Sequence, residues 1–238
     1  MQKKILIAIQ ARSTSTRLPG KVLMPIDGRS MLDHVCDAAK RSADYLNRFT
    51  FKTGIAVHCC LVVPTGDEIV GRFKHKILCV EGSETDVLAR YMAAVEQTKP
   101  DYIVRITSDC PLIPPYIISK HIKLAVVNGY DYISNVDPRF RTALDGADCE
   151  VISTKLLTWA HENAQPGKDR EHVSILCREN PPRWARMAAV IGFFDESEVK
   201  LSVDTAEDLE AVRHNFERVK SKLREAEKAY GRENVHRF

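Results

Sequence analysis

Short apolar runs alternate with amphipathic stretches along almost the whole chain, and few architectures accept that rhythm. Runs of β-like composition fall at 4–9, 56–63, 77–80, 102–106, 132–135, 149–152, 186–191 and 200–203. Helical patterns occupy 30–43, 67–73, 86–97, 115–127, 154–162, 170–178 and 206–230. Strands alternating with helices at this pitch predict a mostly parallel α/β sheet with helices on both faces. The early run Ile5-Leu6-Ile7-Ala8-Ile9 is apolar at every position, as a strand covered on both sides must be. The chain's 238 residues suffice for one such domain. No repeat or Gly/Ser linker divides them, so 1–238 is expected to act as a single domain. The least regular stretch, 137–147, reads as part of an excursion around 135–170 that is suited to contacting a substrate. In the last helix, around 206–230, Leu209, Val212, Phe216, Val219, Leu223 and Tyr230 form an apolar stripe. Such a stripe suits packing on the chain's own domain or, less favoured, the seam of a homodimer.

Composition removes several classes. Hydrophobic residues at 44% and charged residues at 28% exclude disordered and fibrous chains. A net charge of +3 from 35 basic and 32 acidic side chains gives no bulk attraction to nucleic acid, and none is expected as a partner. No apolar run approaches the ~18–20 residues that span a bilayer, so no membrane partner is expected. The N-terminal apolar run is short and is followed at once by Gln10, Arg12 and Arg17, so it reads as a buried strand rather than a signal peptide. Seven cysteines (36, 59, 60, 79, 110, 149, 177), odd in number and without Cys-x-x-Cys, indicate buried free thiols and a reducing, cytoplasmic setting.

The segment from Gln10 to Lys21 carries the most chemistry. Ser13, Thr14, Ser15 and Thr16 stand among backbone N–H groups, with Arg12, Arg17 and Lys21 spaced through the turn. Hydroxyls and amides that cradle oxygens, beside fixed cations that offset charge, are what a polyphosphate requires. A solvated loop with incidental cations is the plainer alternative, and the density of these groups directly after the first strand weighs against it. The two common phosphate loops are absent: there is no Gly-x-Gly, and after Gly66-x4-Gly71 the residues are Arg72-Phe73 instead of Lys-Ser/Thr.

Asp109 follows the 102–106 strand and Asp204 the 200–203 strand, so both carboxylates should lie at strand ends. Two hard oxygen ligands suit Mg²⁺, which completes its octahedron with phosphate oxygens and water. Asp204 could instead cap the final helix, but Thr205, with Asp208 three residues on, can do that. Thr85-Asp86 opening a helix is equally readable as capping or as part of a site. Cys110 has no base partner evident in the sequence and is read as packing. Arg170-Glu171-His172 beside a loop suits an anionic acceptor, although a histidine early in an apolar helix is more often structural.

The stretch Gln10-Ala-Arg-Ser-Thr-Ser-Thr-Arg-Leu-Pro-Gly-Lys21 resembles the signature of the sugar-activating cytidylyltransferases. The likeness is greatest to the spore coat polysaccharide biosynthesis protein F family and more distant to CMP-KDO synthetase. It extends through Glu81-Gly-Ser-Glu-Thr-Asp-Val-Leu-Ala-Arg-Tyr91, Arg105-Ile-Thr-Ser-Asp-Cys-Pro-Leu-Ile113, Arg170-Glu-His-Val173 and Ser202-Val-Asp-Thr-Ala-Glu-Asp-Leu209, in the family's order. The resemblance implies a Rossmann-like three-layer α/β/α nucleotidyltransferase (nucleotide-diphospho-sugar transferase) fold, Mg²⁺ dependence and release of pyrophosphate, usually from CTP. It further implies nucleotide contacts at Gln10, Ala11, Arg12, Ser13, Ser15, Arg17, Lys21, Asp86 and Thr107, with metal ligands at Asp109 and Asp204. Acceptor contacts are expected at Asn135, Glu150, Arg170 and His172. Thr14 and Ser108 stand where the family usually has glycine.

Together these readings predict a Mg²⁺-dependent cytidylyltransferase, serving the biosynthesis of a surface polysaccharide, that joins CTP to a sugar acid or a phosphorylated or phosphonate small molecule. Arg12, Lys21 and Asp109 would carry the chemistry. A glycosyltransferase using a nucleotide sugar is the nearest alternative, disfavoured because no Asp-x-Asp is present. A non-catalytic nucleotide-binding regulator is a third.

Overall fold

In the computed structural model, which describes residues 2–48, 54–191 and 196–235 (side chains to 225), the all-apolar run after Lys4 becomes the centre of a sheet. The strands and helices follow in order. β1 (Lys3–Gln10) leads into a short 3-10 turn (Lys21–Leu23), the small hairpin β2 (Pro25–Ile26) and β3 (Arg29–Ser30), and α1 (Met31–Asn47). Next come β4 (Ile55–Pro64), α2 (Glu68–Phe73), β5 (Leu78–Gly82), α3 (Val87–Thr98), β6 (Tyr102–Thr107) and α4 (Pro115–Asn128). The chain continues through β7 (Tyr132–Ser134), β8 (Glu150–Ser153), α5 (Thr154–Asn163), α6 (Lys168–Glu171), α7 (Ile175–Glu179), β9 (Met187–Ala189) and α8 (Ala206–Val235).

Seven strands pair in the order β5-β4-β1-β6-β8-β7-β9. All pairs are parallel except those of β8, which runs antiparallel to both β6 and β7. Alternate residues of β1 feed opposite layers. Ile5, Ile7 and Ile9 pack with α1, α2 and α4, whereas Leu6 and Ala8 pack with α3, α5 and α7. Each of these buried side chains contributes about 1.5–3 kcal/mol relative to an exposed one.

Chain order determines where a ligand can enter. From β1 the sheet grows outward through β4 to β5, and the chain then returns to pair β6 with the other edge of β1. Gln10 and Thr107 are register partners at this switch. The loops that follow them diverge there, opening a crevice beyond the strand ends.

Two expectations are corrected. The 200–203 run is extended but is not a sheet strand: only Lys200 forms a bridge, to Asp145. Its N–H groups are taken by loops, with Leu201 and Ser202 donating to the Asp145 carbonyl and Val203 to that of Asp109. The 170–178 helix is broken into α6 and α7, because Val173 adopts a left-handed backbone (φ 55°) between them. At the C-terminus, Leu209, Val212 and Phe216 are buried against Ile26, Met31, Leu112, Leu201 and Val203, with Val219 and Leu223 packed alongside. The stripe therefore covers the chain's own hairpin and loops; the Tyr230 side chain lies outside the described residues.

Gly146 ties the excursion to the segment carrying Asp204. Its φ is +110°, and a Cβ there would lie 2.8 Å from both the Leu201 carbonyl carbon and the Ser202 nitrogen. Gly146→Ala is therefore expected to cost more than about 1 kcal/mol of stability, read as a lowered thermal midpoint. An unchanged midpoint would mean that the 200–204 segment yields freely.

Candidate active site

The loop after β1 is closed by its own backbone. Ser13 accepts from the N–H groups of Ser15 and Gly20 through its carbonyl, while its own N–H donates to Asp67 at 2.8 Å. Ser13 thus props the loop and does not line the cleft, a correction to its expected place among the phosphate-facing residues. The cleft of about 180 Å³ beyond β1 and β6 is lined by Gln10, Ala11, Arg12, Ser15, Thr16, Arg17, Lys21, Val22, Thr107, Ser108, Asp109 and Asp204. Thr16 and Ser108 line it although neither was assigned a nucleotide contact, and Val22 joins them without a signal in the sequence.

Lys21 is the pivot. The 3-10 turn that follows Gly20 buries it to 9% exposure. Its ammonium donates to the Val203 carbonyl at 2.7 Å, to Asp204 at 3.1 Å and to Asp109 at 3.3 Å. Arg17 adds a second contact to Asp204 at 2.8 Å. Burial alone would push the Asp109 carboxyl up, but Lys21 and the Thr107 hydroxyl outweigh it and hold the group below the usual carboxylate range. Asp204 is free for this arrangement because Thr205 and Asp208 cap α8 reciprocally: the Asp208 carboxylate accepts from the N–H groups of Asp204 and Thr205, and the Thr205 hydroxyl accepts from Asp208. Cys110 is buried at 2% exposure, and burial drives its thiol well above its ordinary value, as a packing residue requires.

A second cleft of about 260 Å³ adjoins the first through Gln10 and Arg12 and adds Glu84, Thr85, Val87, Arg90 and Glu171. A third, about 550 Å³, shares Thr85 and Glu171 with the second and contains Asp86, Arg170 and Gly167. Asp86 caps α3, accepting from the Ala89 N–H at 2.8 Å, and its other oxygen meets Arg170 at 3.5 Å. Both readings of Asp86 thus meet in one residue that caps a helix and lines a cleft. Arg170 also bonds the His161 ring at 2.9 Å and the His161 carbonyl at 2.9 Å. His172 is exposed at the end of α6, outside these linings.

Asn135 and Glu150 lie behind the cleft wall. The Asn135 amide donates to the Ala147 carbonyl at 2.8 Å and accepts from the Cys149 N–H at 2.9 Å. Glu150, 1% exposed, accepts from Arg105, Tyr132 and Ser174, each at 2.6 Å. Burial would raise its carboxyl, but the Arg105 charge and these hydrogen bonds bring it below the ordinary value. Arg105 in turn reaches the Gln10 side chain at 3.3 Å. These two residues hold the wall in place, and their polar atoms are committed to it.

Residues 6–228 match the family described as Cytidylyltransferase. The chain is 28% identical over 222 residues to the spore coat polysaccharide biosynthesis protein SpsF of Bacillus subtilis, covering 90% of this chain and 87% of that one. A cytidylyltransferase structure from Leptospira borgpetersenii superposes with a TM-score of 0.80 at 26% identity, covering 96% and 95% of the two chains. A CMP:2-keto-3-deoxy-manno-octonic acid synthetase structure complexed with CTP shares the fold, with a TM-score of 0.64 at 16% identity and coverage of 91% and 99%.

Glu150→Gln would leave Arg105 facing a neutral group, and the loss is expected at about 3–5 kcal/mol at pH 7. Because the folded carboxyl titrates below its unfolded value of about 4.3, its contribution is fully present above that pH and fades as pH falls through the folded value. Urea midpoints of both proteins should therefore converge under acid. A constant gap between pH 7 and strongly acidic conditions would show that the effect is steric.

Proposed function

The chain belongs to the cytidylyltransferase family, and from that premise we propose that it couples CTP to an anionic small molecule: a sugar acid, or a phosphorylated or phosphonate acceptor. The observation that carries this reading is the Lys21 ammonium, held between Asp109 and Asp204 in the cleft beside the cation-rich loop. In this reading the acceptor oxygen attacks the α-phosphorus, the bond to the bridging oxygen breaks, and pyrophosphate leaves. Such a transfer asks the protein chiefly for positioning and charge neutralisation. Arg12, exposed at the junction of two clefts, and Lys21 receive the charge that grows on the departing pyrophosphate.

The donor set fits a divalent cation, which we take as Mg²⁺. Asp109 and Asp204 already share one positive charge. Among the described residues no group of three or more His, Cys, Asp or Glu could cage a metal on its own. Two carboxylates suit an ion that takes the rest of its shell from phosphates and water. When bound, it would supply charge neutralisation on the reacting phosphates. Gln10, Ala11, Ser15, Arg17 and Thr107 orient the nucleotide, with Asp86 on its nucleoside side. Arg170 attracts the acceptor, while Asn135 and Glu150 act from behind by fixing the wall; His172 stands at the rim. The name of the B. subtilis relative supports a place in surface polysaccharide biosynthesis. No helix among the described residues is long and apolar enough to cross a membrane, consistent with the cytoplasmic setting we propose.

Pyrophosphate should appear from CTP only when acceptor and Mg²⁺ are both present, in a screen of sugar acids and phosphorylated small molecules. Faster turnover of a nucleotide sugar, with a free nucleoside diphosphate as product, would replace the reading by glycosyl transfer. Lys21→Ala and Arg12→Ala should each lower kcat by roughly 10²–10³. A raised KM with unchanged kcat would assign them to ground-state binding only.

Asp109→Asn and Asp204→Asn should each raise the Mg²⁺ needed for turnover. If they share one ion, the double variant should be only slightly worse than the more damaging single one. A normal Mg²⁺ titration for Asp204→Asn, with a lowered melting temperature, would make Asp204 a structural residue.

A further inference from the structure

Arg90 stands on the buried face of α3 with Val87, Leu88, Tyr91 and Ala94, and it is 1% exposed. Its Nε and Nη1 atoms are buried without a hydrogen-bond partner. Burial lowers its proton affinity, and neighbouring Arg12 adds to that effect. An arginine in this position costs the fold stability unless a ligand completes it. The backbone makes room for it: Gly82, at the end of β5, has no Cβ, and one placed there would lie 2.8 Å from the Arg90 Cγ. Arg90 is nevertheless one of the residues lining the second cleft, which meets the Asp109–Asp204 cleft at Gln10 and Arg12.

We infer that Arg90 reads the pyrimidine of the nucleotide, donating to the ring N3 and O2 acceptors of cytosine; the inference rests on the cytidylyltransferase reading. Two features favour a base over a phosphate. The cleft lies one step away from the carboxylates that face the reacting phosphates. It also carries Glu84 and Glu171, whose negative charge repels a phosphate but can accept from the cytosine amino group. Cytosine presents two acceptors beside an amino donor, whereas uracil carries an N–H at N3, which would face the arginine's own donors. A site built to hydrogen-bond one pattern rejects the other strongly, because its buried groups are left unpaired.

The test is calorimetric titration of the full chain with CMP and with UMP, both in Mg²⁺, so that no acceptor is required. The wild type should prefer CMP by at least about tenfold. Arg90→Met should abolish that preference, mainly by losing CMP affinity, while melting at or above the wild-type temperature because an unpaired buried charge has been removed. Gly82→Ala keeps the charge but displaces the side chain, and it should lose the preference as well. If Arg90→Met weakens CMP and UMP equally, the group contacts phosphate and the inference falls. If it keeps the preference but melts lower, Arg90 is structural and the inference also falls, with the function left standing. A wild type that binds neither nucleotide would overturn both.

Discussion

One buried ammonium organises this molecule's chemistry. Lys21 reaches 182 residues along the chain to the Val203 carbonyl and on the way gathers Asp109 and Asp204. The carboxylates arrive by different routes: Asp109 by the end of β6, and Asp204 by an extended segment pinned to Asp145 and Asp109 through main-chain hydrogen bonds. Without a cation between them, the two negative charges would repel at close quarters, each raising the proton affinity of the other. The loop after β1 therefore supplies part of the site's charge balance as well as the groups proposed to face phosphate. It must be held rigidly enough to do so, which is why Ser13 is committed to Asp67 and to its own turn.

The resemblance stated at the outset carried two departures, and the backbone shows how each is accommodated. Among the described non-glycine residues only Asp27, Lys99 and Val173 have positive φ, so neither Thr14 nor Ser108 occupies a conformation that demands glycine. The Thr14 hydroxyl donates to Glu84 at 2.7 Å and so links the loop after β1 to the neighbouring cleft. Ser108 is buried at 5% exposure, and its N–H donates to the Gln10 carbonyl across the switch between β1 and β6. Side chains thus take space that glycine would have left open, without forcing the main chain.

What could be read from sequence was whatever depends on local pattern. Period and apolarity located the sheet strands, and the reciprocal Thr205–Asp208 cap followed from spacing alone. Hidden were features set by distant partners. The 200–203 run has strand composition, yet its hydrogen bonds go to loops, so no rule of local pattern separates it from a sheet strand. The 170–178 helix breaks at Val173 beside Ser174, whose hydroxyl donates to Glu150 from a remote strand. Glu150 and Asn135 were expected as acceptor contacts, but burial commits them to Arg105, Tyr132, Ala147 and Cys149. Arg90 did leave a trace: it is a cation among Val87, Leu88, Tyr91 and Ala94 on the face that α3 must bury.

The two ends of the crevice solve the problem of charge differently. At the Lys21 end the cations and carboxylates neutralise one another in the protein itself, so in the proposed function a triphosphate and its cation would enter by exchange of partners rather than by desolvating lone charges. Behind that end, Glu150 holds Arg105, and Arg105 holds Gln10, so one of the two residues shared by both clefts is fixed from the core outward. At the far end, the Nε and Nη1 atoms of Arg90 are buried without a hydrogen-bond partner, beside an apolar layer that disfavours its charge. Phosphates recur in every nucleotide, so pre-neutralised groups can bind them without discriminating. Only an uncompensated donor gains more from one ligand pattern than from another, which is why the proposed selectivity is assigned to the end where the fold leaves two arginine nitrogens unpaired.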